Sequence, residues 1–346
     1  MILVTGGSGF VGGAIVRQLV ARGDLVRSLQ RHAAPGLQAL GIQTVCGDLA
    51  DTETVLQAAR GCDAVIHVAA KAGVWGSARD YQLANVRGTR NVLNACKTLG
   101  IRKLVYTSTP SVVHSGGDVE GIDEATPIAT HFSSPYAQSK ADAELLVLQA
   151  NSPDLATVAL RPHLVWGPND PQLTGRILAR AKSGRLRLVG GGKKRIDSTY
   201  IDNAALAHVL ALDRVRPGAA CAGRAYFIAQ DEPMPQRDLI NGILAAGGLP
   251  PCSQSVSPRI AWLLGALLEG FGHLRQQAHE PMMTRFLAEQ LATAHWYDLS
   301  AARRDLDYVP QLTVAQGLVR LQQWLTEQAS TDRDAVRAGV GISTAT

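Results

Sequence analysis

Thr5-Gly6-Gly7-Ser8-Gly9-Phe10-Val11-Gly12 follows the β-branched run Ile2-Leu3-Val4 and opens a segment with helical spacing at Val11, Ile15 and Leu19 that stops at Gly23. A strand, a glycine turn and a helix start, in that order, make a seat for a pyrophosphate. The glycines permit the tight turn, and the helix start offers unpaired N–H groups at the positive end of its dipole. Gly6, Gly9, Phe10, Val11 and Gly12 are therefore expected to meet a dinucleotide cofactor. A hydrolase nucleophile elbow is excluded, because it needs glycine two positions after the serine and Phe10 stands there.

Outward from this loop, apolar runs at 25–29, 44–46, 64–68, 103–107 and 157–160 read as strands. Helical segments lie between them near 51–60, 77–99 and 135–150. Strands alternating with helices imply crossover connections, hence an α/β fold with a Rossmann-type, doubly wound parallel sheet. Residues 1–165 are expected to form the nucleotide-binding domain, with segments near 196–230 returning to it. Residues 166–327 would form mainly a smaller, mostly helical substrate lobe, and the polar stretch 328–346 a mobile tail.

Composition limits what such a chain can be. With 346 residues, 46% hydrophobic and 18% charged, it can bury a sizeable core and is not disordered over most of its length. No uncharged apolar run reaches the roughly 18 residues that a membrane span needs. The first twelve residues lack the basic start of a secretory signal. Cys46, Cys62, Cys96, Cys221 and Cys252 are scattered without a C-x-x-C, so neither a disulfide framework nor a zinc site is expected and a reducing cytoplasm fits. No histidine pair has the spacing of a metal motif. The net charge of +5 has a local source: eight basic residues and no acid lie between Pro171 and Ile196. That segment reads either as a solvated face or as a surface for an anionic ligand; without interleaved aromatics it does not suggest nucleic acid.

The second strand ends at Leu29-Gln30-Arg31. A cofactor with a free ribose 2′-hydroxyl would want an acid at this edge, whereas neutral Gln30 followed by Arg31 suits a 2′-phosphate, so NADPH/NADP+ is expected. Tyr136 and Lys140 stand four apart at the start of a helix and share one face. Lowering a tyrosine pKa from about 10 to about 7 takes roughly 4 kcal/mol. An ammonium about 4 Å away at an effective dielectric near 20 supplies about that much. Such a pair can donate or accept a proton beside a hydride carrier. The turn Thr107-Ser108-Thr109-Pro110-Ser111 leaves a strand at the same sheet edge and offers a hydroxyl to the substrate oxygen.

With these residues in view, the chain resembles the extended short-chain dehydrogenase/reductase superfamily, in its 3β-hydroxysteroid dehydrogenase-like branch, from Met1 to about Leu325. The likeness rests on the glycine loop, Gly47-Asp48-Leu49, His67-Val68-Ala69-Ala70, Asn85-Val86-Arg87-Gly88-Thr89, the hydroxyl turn, Tyr136/Lys140, and Leu160-Arg161-Pro162 leading to Trp166-Gly167-Pro168. It implies Thr109, Tyr136 and Lys140 as catalytic residues, with Ser108 and Ser111 as alternatives to Thr109. It implies a cofactor lined by Asp48, Leu49, Ala69, Ala70, Lys71, Thr107 and Pro162 as well. Ala70 to Ser77, Tyr106 to Val112, Asp197 to Asn203 and His295-Trp296-Tyr297 are similar to the 2-alkyl-3-oxoalkanoate reductases of bacterial long-chain olefin biosynthesis. That narrower resemblance implies NADPH-dependent reduction of a long-chain 2-alkyl-3-oxo acid and a complex with other enzymes of olefin formation, while the superfamily resemblance implies a homodimer paired through the helices at 77–99 and 135–150. Steroid or sterol dehydrogenase, nucleotide-sugar epimerase and a non-catalytic NADP(H)-sensing protein remain as alternatives. For the substrate, Trp75, Ser111, His163 and Arg176 are candidates, and Lys71, Arg161, Arg176 and the other basic residues between Pro171 and Ile196 all qualify as carboxylate binders. The apolar stretch Ile260 to Leu268 reads as a core helix, the wall of an alkyl pocket, or a peripheral membrane contact.

Overall fold

In the computed structural model, which describes residues 1–275 and 279–337, every residue of the first strand is buried, and the glycine loop leads straight into a helix. The first half runs β1 (Ile2–Thr5), α1 (Phe10–Ala21), β2 (Val26–Gln30), α2 (Pro35–Gln38), β3 (Gln43–Cys46), α3 (Thr52–Ala59), β4 (Ala64–His67) and α4 (Ala78–Tyr81). It continues through α5 (Gly88–Leu99), β5 (Lys103–Thr107), β6 (Val119–Ile122), α6 (Pro135–Gln149) and β7 (Ala156–Pro162). The second half holds β8 (Val165–Trp166), α7 (Thr174–Lys182), β9 (Leu188–Val189), β10 (Arg195–Ile196), β11 (Thr199–Tyr200), α8 (Ile201–Arg214) and β12 (Arg224–Ile228). After these come β13 (Met234–Pro235), α9 (Gln236–Ala246), β14 (Ser255–Val256), α10 (Pro258–Leu274), α11 (Arg285–Ala292), β15 (His295–Tyr297), α12 (Ser300–Leu306) and α13 (Val314–Arg337).

Seven strands form the main sheet in the order β12-β7-β5-β4-β1-β2-β3, all parallel. The apolar runs are continuous because both faces are covered. Successive side chains alternate between two cores: Val4, Ile66 and Val105 pack on one face, and Leu3, Val65 and Leu104 on the other. The order reverses between β1 and β4, and that switch point opens a crevice at the carboxyl ends of the strands. The glycine loop and the Thr109 turn both leave strands at this edge.

Three features depart from the periodicity. The helix expected over 77–99 is broken into α4, a π-helical turn Gln82–Arg87, and α5; such turns concentrate at functional sites. A four-stranded sheet, β13-β10-β15-β6, is built from strands of two to four residues, too short for a pattern to register. The helix α13 runs to Arg337, so residues 328–337, expected as tail, continue a helix, while 338–346 lie outside the described residues. Polar helix formers such as Glu327 and Gln328 carry the helix through its exposed stretch 326–331, beyond the buried Val314 and Leu321.

The apolar helix α10 is not a core helix. Ile260, Trp262, Leu263, Leu264, Leu267 and Phe271 are exposed, and Ala261 is buried beneath them. Among the described residues no helix is long and apolar enough to cross a membrane.

Candidate active site

The cradle at the start of α1 tolerates no side chains. Gly6 has φ +73°, and a Cβ on Gly12 would stand 2.1 Å from the Gly6 carbonyl oxygen. Gly6 in turn packs against Ala69, whose Cα would lie 3.0 Å from a Cβ at position 6. The N-cap of α1 is Gly9, which has no side chain to cap with, so the first-turn N–H groups are left for a ligand. Buried Gln30, the last residue of β2, accepts from Ser28 Oγ through Oε1, while its Nε2 has no hydrogen-bond partner. An orphan donor at this edge of β2, beside exposed Arg31, fits the adenosine end of a dinucleotide. Asp48 accepts from Ala50 N, and Leu49 O accepts from Asn91 Nδ2, which together shape the flanking loop.

The catalytic candidates converge from three elements. Ser134 caps α6 by accepting from Ala137 N, and Pro135 occupies the first turn, so Tyr136 stands at the mouth of the crevice. One turn further, buried Lys140 donates to Thr107 O at 2.6 Å, with its Nζ 4.2 Å from the centre of the Tyr106 ring. Burial pulls the Lys140 ammonium down to about 7, against the attraction of Glu144. Burial also raises the Tyr136 phenol above its ordinary value, opposed by a hydrogen bond with Thr109. Thr109 caps a 3-10 turn, Pro110–Val112; its Oγ1 accepts from Ser111 N and donates to Ser111 Oγ at 3.2 Å. Ser108 Oγ is buried without a partner, so of the neighbouring hydroxyls it is Thr109 that meets Tyr136.

A second layer fixes these parts. Tyr81 packs edge-on to Tyr136 with centroids 6.2 Å apart, and its hydroxyl donates to Gly73 O and Trp75 O, which holds the Trp75 loop over the crevice. Asn85, on the π-helical turn, accepts from Lys71 N and donates to Ser139 Oγ, linking that loop to α6. Glu144 and Arg161, both fully buried, join α6 to β7 at 2.5 Å.

The three carboxylate-binder candidates outside or at the start of the basic segment each already hold an acid. Lys71 pairs with Asp80 at 3.1 Å, Arg161 with Glu144, and Arg176 with Glu280 through two bonds of 2.7 and 2.9 Å. His163 is buried just beyond Pro162, its Nδ1 bonded to Asp197 O at 2.8 Å. Sequence reasoning did not single out His114 or the side chain of His295, which packs against both His114 and His163, nor the buried Glu144. For Glu144 a signal existed, since it lies eight residues after Tyr136 on the same face of α6.

A sheet of this order with a glycine turn at β1 and a tyrosine–lysine helix at its edge defines a nicotinamide-dependent oxidoreductase of the extended short-chain dehydrogenase/reductase type. Within that class the chain belongs to the 3-beta hydroxysteroid dehydrogenase/isomerase family, whose model matches residues 3–256. It is 53% identical over 323 residues to the 2-alkyl-3-oxoalkanoate reductase of Stenotrophomonas maltophilia, covering 93% of this chain and 98% of that one. It is 49% identical over 327 residues to the 2-alkyl-3-oxoalkanoate reductase of Shewanella oneidensis, covering 92% and 84%. Among solved structures, the dTDP-glucose 4,6-dehydratase of Streptomyces venezuelae with NAD bound superimposes with a TM-score of 0.75 at 25% identity, over 96% of this chain and 98% of that one.

Proposed function

We propose that this enzyme reduces the 3-keto group of a long-chain 2-alkyl-3-oxoalkanoic acid to the 2-alkyl-3-hydroxy acid with NADPH. The observation that carries the reading is the near full-length likeness, at 53% and 49% identity, to two reductases of that name. The cofactor supplies the hydride. The chain supplies the proton and the positioning: Thr109 holds the ketone oxygen, Tyr136 protonates it, and Lys140 steadies the phenol and the cofactor ribose. A phenol held above its ordinary value keeps its proton until the oxygen develops charge, which suits an acid in the reductive direction. Gly6, Gly9, Phe10, Val11, Gly12, Asp48, Leu49, Ala69, Ala70, Lys71, Thr107 and Pro162 would line the cofactor. The substrate would be flanked by Trp75, Ser111 and His163, with Arg176 and Glu280 bracing the loop at Gly73.

The reverse reaction tests this reading, because 3-oxo acids readily lose carbon dioxide. Protein mixed with NADP+ and a long-chain 2-alkyl-3-hydroxy acid should reduce the cofactor quickly. Turnover with a 3β-hydroxysteroid and none with the hydroxy acid would move the substrate to the steroid branch. The preference for NADPH rests on Gln30 and Arg31. Gln30→Glu should lower the NADPH-over-NADH ratio of kcat/KM by about tenfold or more, because a carboxylate there repels the 2′-phosphate; an unchanged ratio would place the phosphate elsewhere.

The same proposal extends to partners and place: a reducing cytoplasm, a homodimer paired through α5 and α6, association with other enzymes of olefin formation, and a lipid-surface contact through α10. Exposed Leu263 and Leu267 on that helix are the support for the last. Anionic vesicles should carry the protein upward in a density gradient, and a Leu263→Asp/Leu267→Asp variant should stay behind. Equal flotation of the two would remove α10 from the contact.

A further inference from the structure

We infer that His114, His163 and His295 form the seat of the substrate's carboxylate, and that His114 takes up a proton as the acid binds. The inference rests on the 3-oxo acid reading and adds the group that recognises the acid. A 3-oxo acid carries its charge one carbon away from the reacting ketone, so the anion must be met beside Thr109 and Tyr136. Of the cations weighed for that role, Lys71, Arg161 and Arg176 are engaged with Asp80, Glu144 and Glu280, and Lys194 of the basic segment with Asp118.

The histidines are placed for the task. His114 lies five residues beyond Thr109, after a single 3-10 turn on the chain leaving β5. His163 directly follows β7, the neighbour of β5 in the sheet, so both stand at the carboxyl edge. His295, the first residue of β15, packs against both, with ring centroids 5.0 Å from His114 and 5.7 Å from His163. All three are more than nine-tenths buried. Among the described residues no group of three is placed to hold a metal ion, so their convergence is not a metal centre.

Hydrogen bonding fixes two of the three tautomers. Thr293 Oγ1 spends its hydrogen on Glu289 O at 2.8 Å, so its 3.0 Å bond to His295 Nε2 must be donated by the ring. The carbonyl of Asp197 likewise obliges His163 Nδ1 to be the donor. His295 Nδ1 and His163 Nε2 are then lone pairs. His114 is the remaining member, and neither of its nitrogens has a partner despite burial. A buried imidazole with two unpaired nitrogens, packed against His295, has hydrogen-bonding capacity left for a proton and an anion together. Once protonated it would donate one N–H to the carboxylate and the other toward a neighbouring lone pair. Among the described residues, the charged groups around the cluster are Glu289 on α11, Asp118 beside β6 with its partner Lys194, and Asp197 before β11; Tyr297 on β15 completes the wall. Burial holds the His114 imidazolium below its ordinary range in the free protein, with Glu289 opposing, so above about pH 6.5 the proton arrives with the acid. Holding that proton on imidazole also keeps it off the ketone, where an internal hydrogen bond promotes loss of carbon dioxide.

The test compares a long-chain 2-alkyl-3-hydroxy acid with its methyl ester, using NADP+ between pH 6.5 and 9. For the wild type, KM for the acid should rise about tenfold per pH unit relative to the ester. His114→Leu should cut the acid-over-ester preference in kcat/KM by about 10- to 100-fold and abolish that slope. His114→Gln, a neutral donor, should restore part of the preference without the slope. NADPH binding, followed by its fluorescence, reports that each variant is folded. Parallel losses on acid and ester, or a pH slope that survives in His114→Leu, would overturn the histidine seat while leaving the reductase reading intact. Wild-type turnover of a steroid and of neither acid nor ester would overturn both.

Discussion

Tyr136→Phe should lower kcat by about 10²- to 10⁴-fold, the span associated with a positioned proton donor, and leave cofactor affinity within a few fold. The asymmetry follows from where the hydroxyl sits. The ring packs edge-on against Tyr81, a contact that phenylalanine keeps, so the mouth of the crevice should not collapse. The hydroxyl is what Thr109 bonds and what the substrate oxygen needs. Lys140 is held by Thr107 O and by the face of Tyr106, independently of the phenol, so its position should persist in the variant. The measurement is single-turnover reduction together with a cofactor titration by fluorescence. A variant that keeps more than about a tenth of wild-type turnover would transfer the proton-donor role to another group, and Ser111, bonded to Thr109, is the next hydroxyl in line.

The main sheet was legible because its chemistry is local. Six of its seven strands appear as short apolar runs, and their alternation with helices implies parallel pairing through crossover connections. The glycine loop was legible for a sharper reason: Gly12 approaches the Gly6 carbonyl so closely that no other residue serves, and such a constraint shows in one letter of sequence. Tyr136 and Lys140 share a helix, so their juxtaposition is fixed by spacing alone. What stayed hidden depends on contacts between distant segments. His114, His163 and His295 come from a turn, a strand end and a sheet of very short strands, and no spacing relates positions 114 and 295. The exposed face of α10 was equally invisible, because an apolar helix reads the same whether it is buried or bare. Arg161 and Arg176 looked available as free cations; only the fold shows that Glu144 and Glu280 already occupy them.

Arg161→Met should destabilise the protein by about 3–5 kcal/mol, a large share of the 5–15 kcal/mol that holds a typical domain together. The cost comes less from losing an attraction than from stranding a charge. Glu144 is entirely buried on α6, and Arg161 reaches it from β7 with side-chain exposures of 4% and 0%. Two hydrogen bonds, from Nε and Nη2, satisfy the carboxylate, and removing the guanidinium leaves it buried without a hydrogen-bonding partner of its own. Lys140, one turn away, is the remaining cation near it and is already committed to Thr107 O. The double variant Glu144→Gln/Arg161→Met should therefore recover most of the loss, since a neutral amide and a thioether can replace the pair without a buried charge. Urea unfolding of the wild type, the single variant and the double variant decides the matter. If the single variant were as stable as the double, Glu144 would have to find water or a proton in its place, and the pair would not be the clamp that sets α6 on β7. Recovery in the double would also separate two roles of Glu144. Stability would return, but Lys140 would have lost the one acid that draws its pKa upward, so its deprotonation should move to lower pH. An acid placed one turn behind the candidate catalytic lysine thus secures the helix mechanically and offsets part of the downward pull of burial on its ammonium.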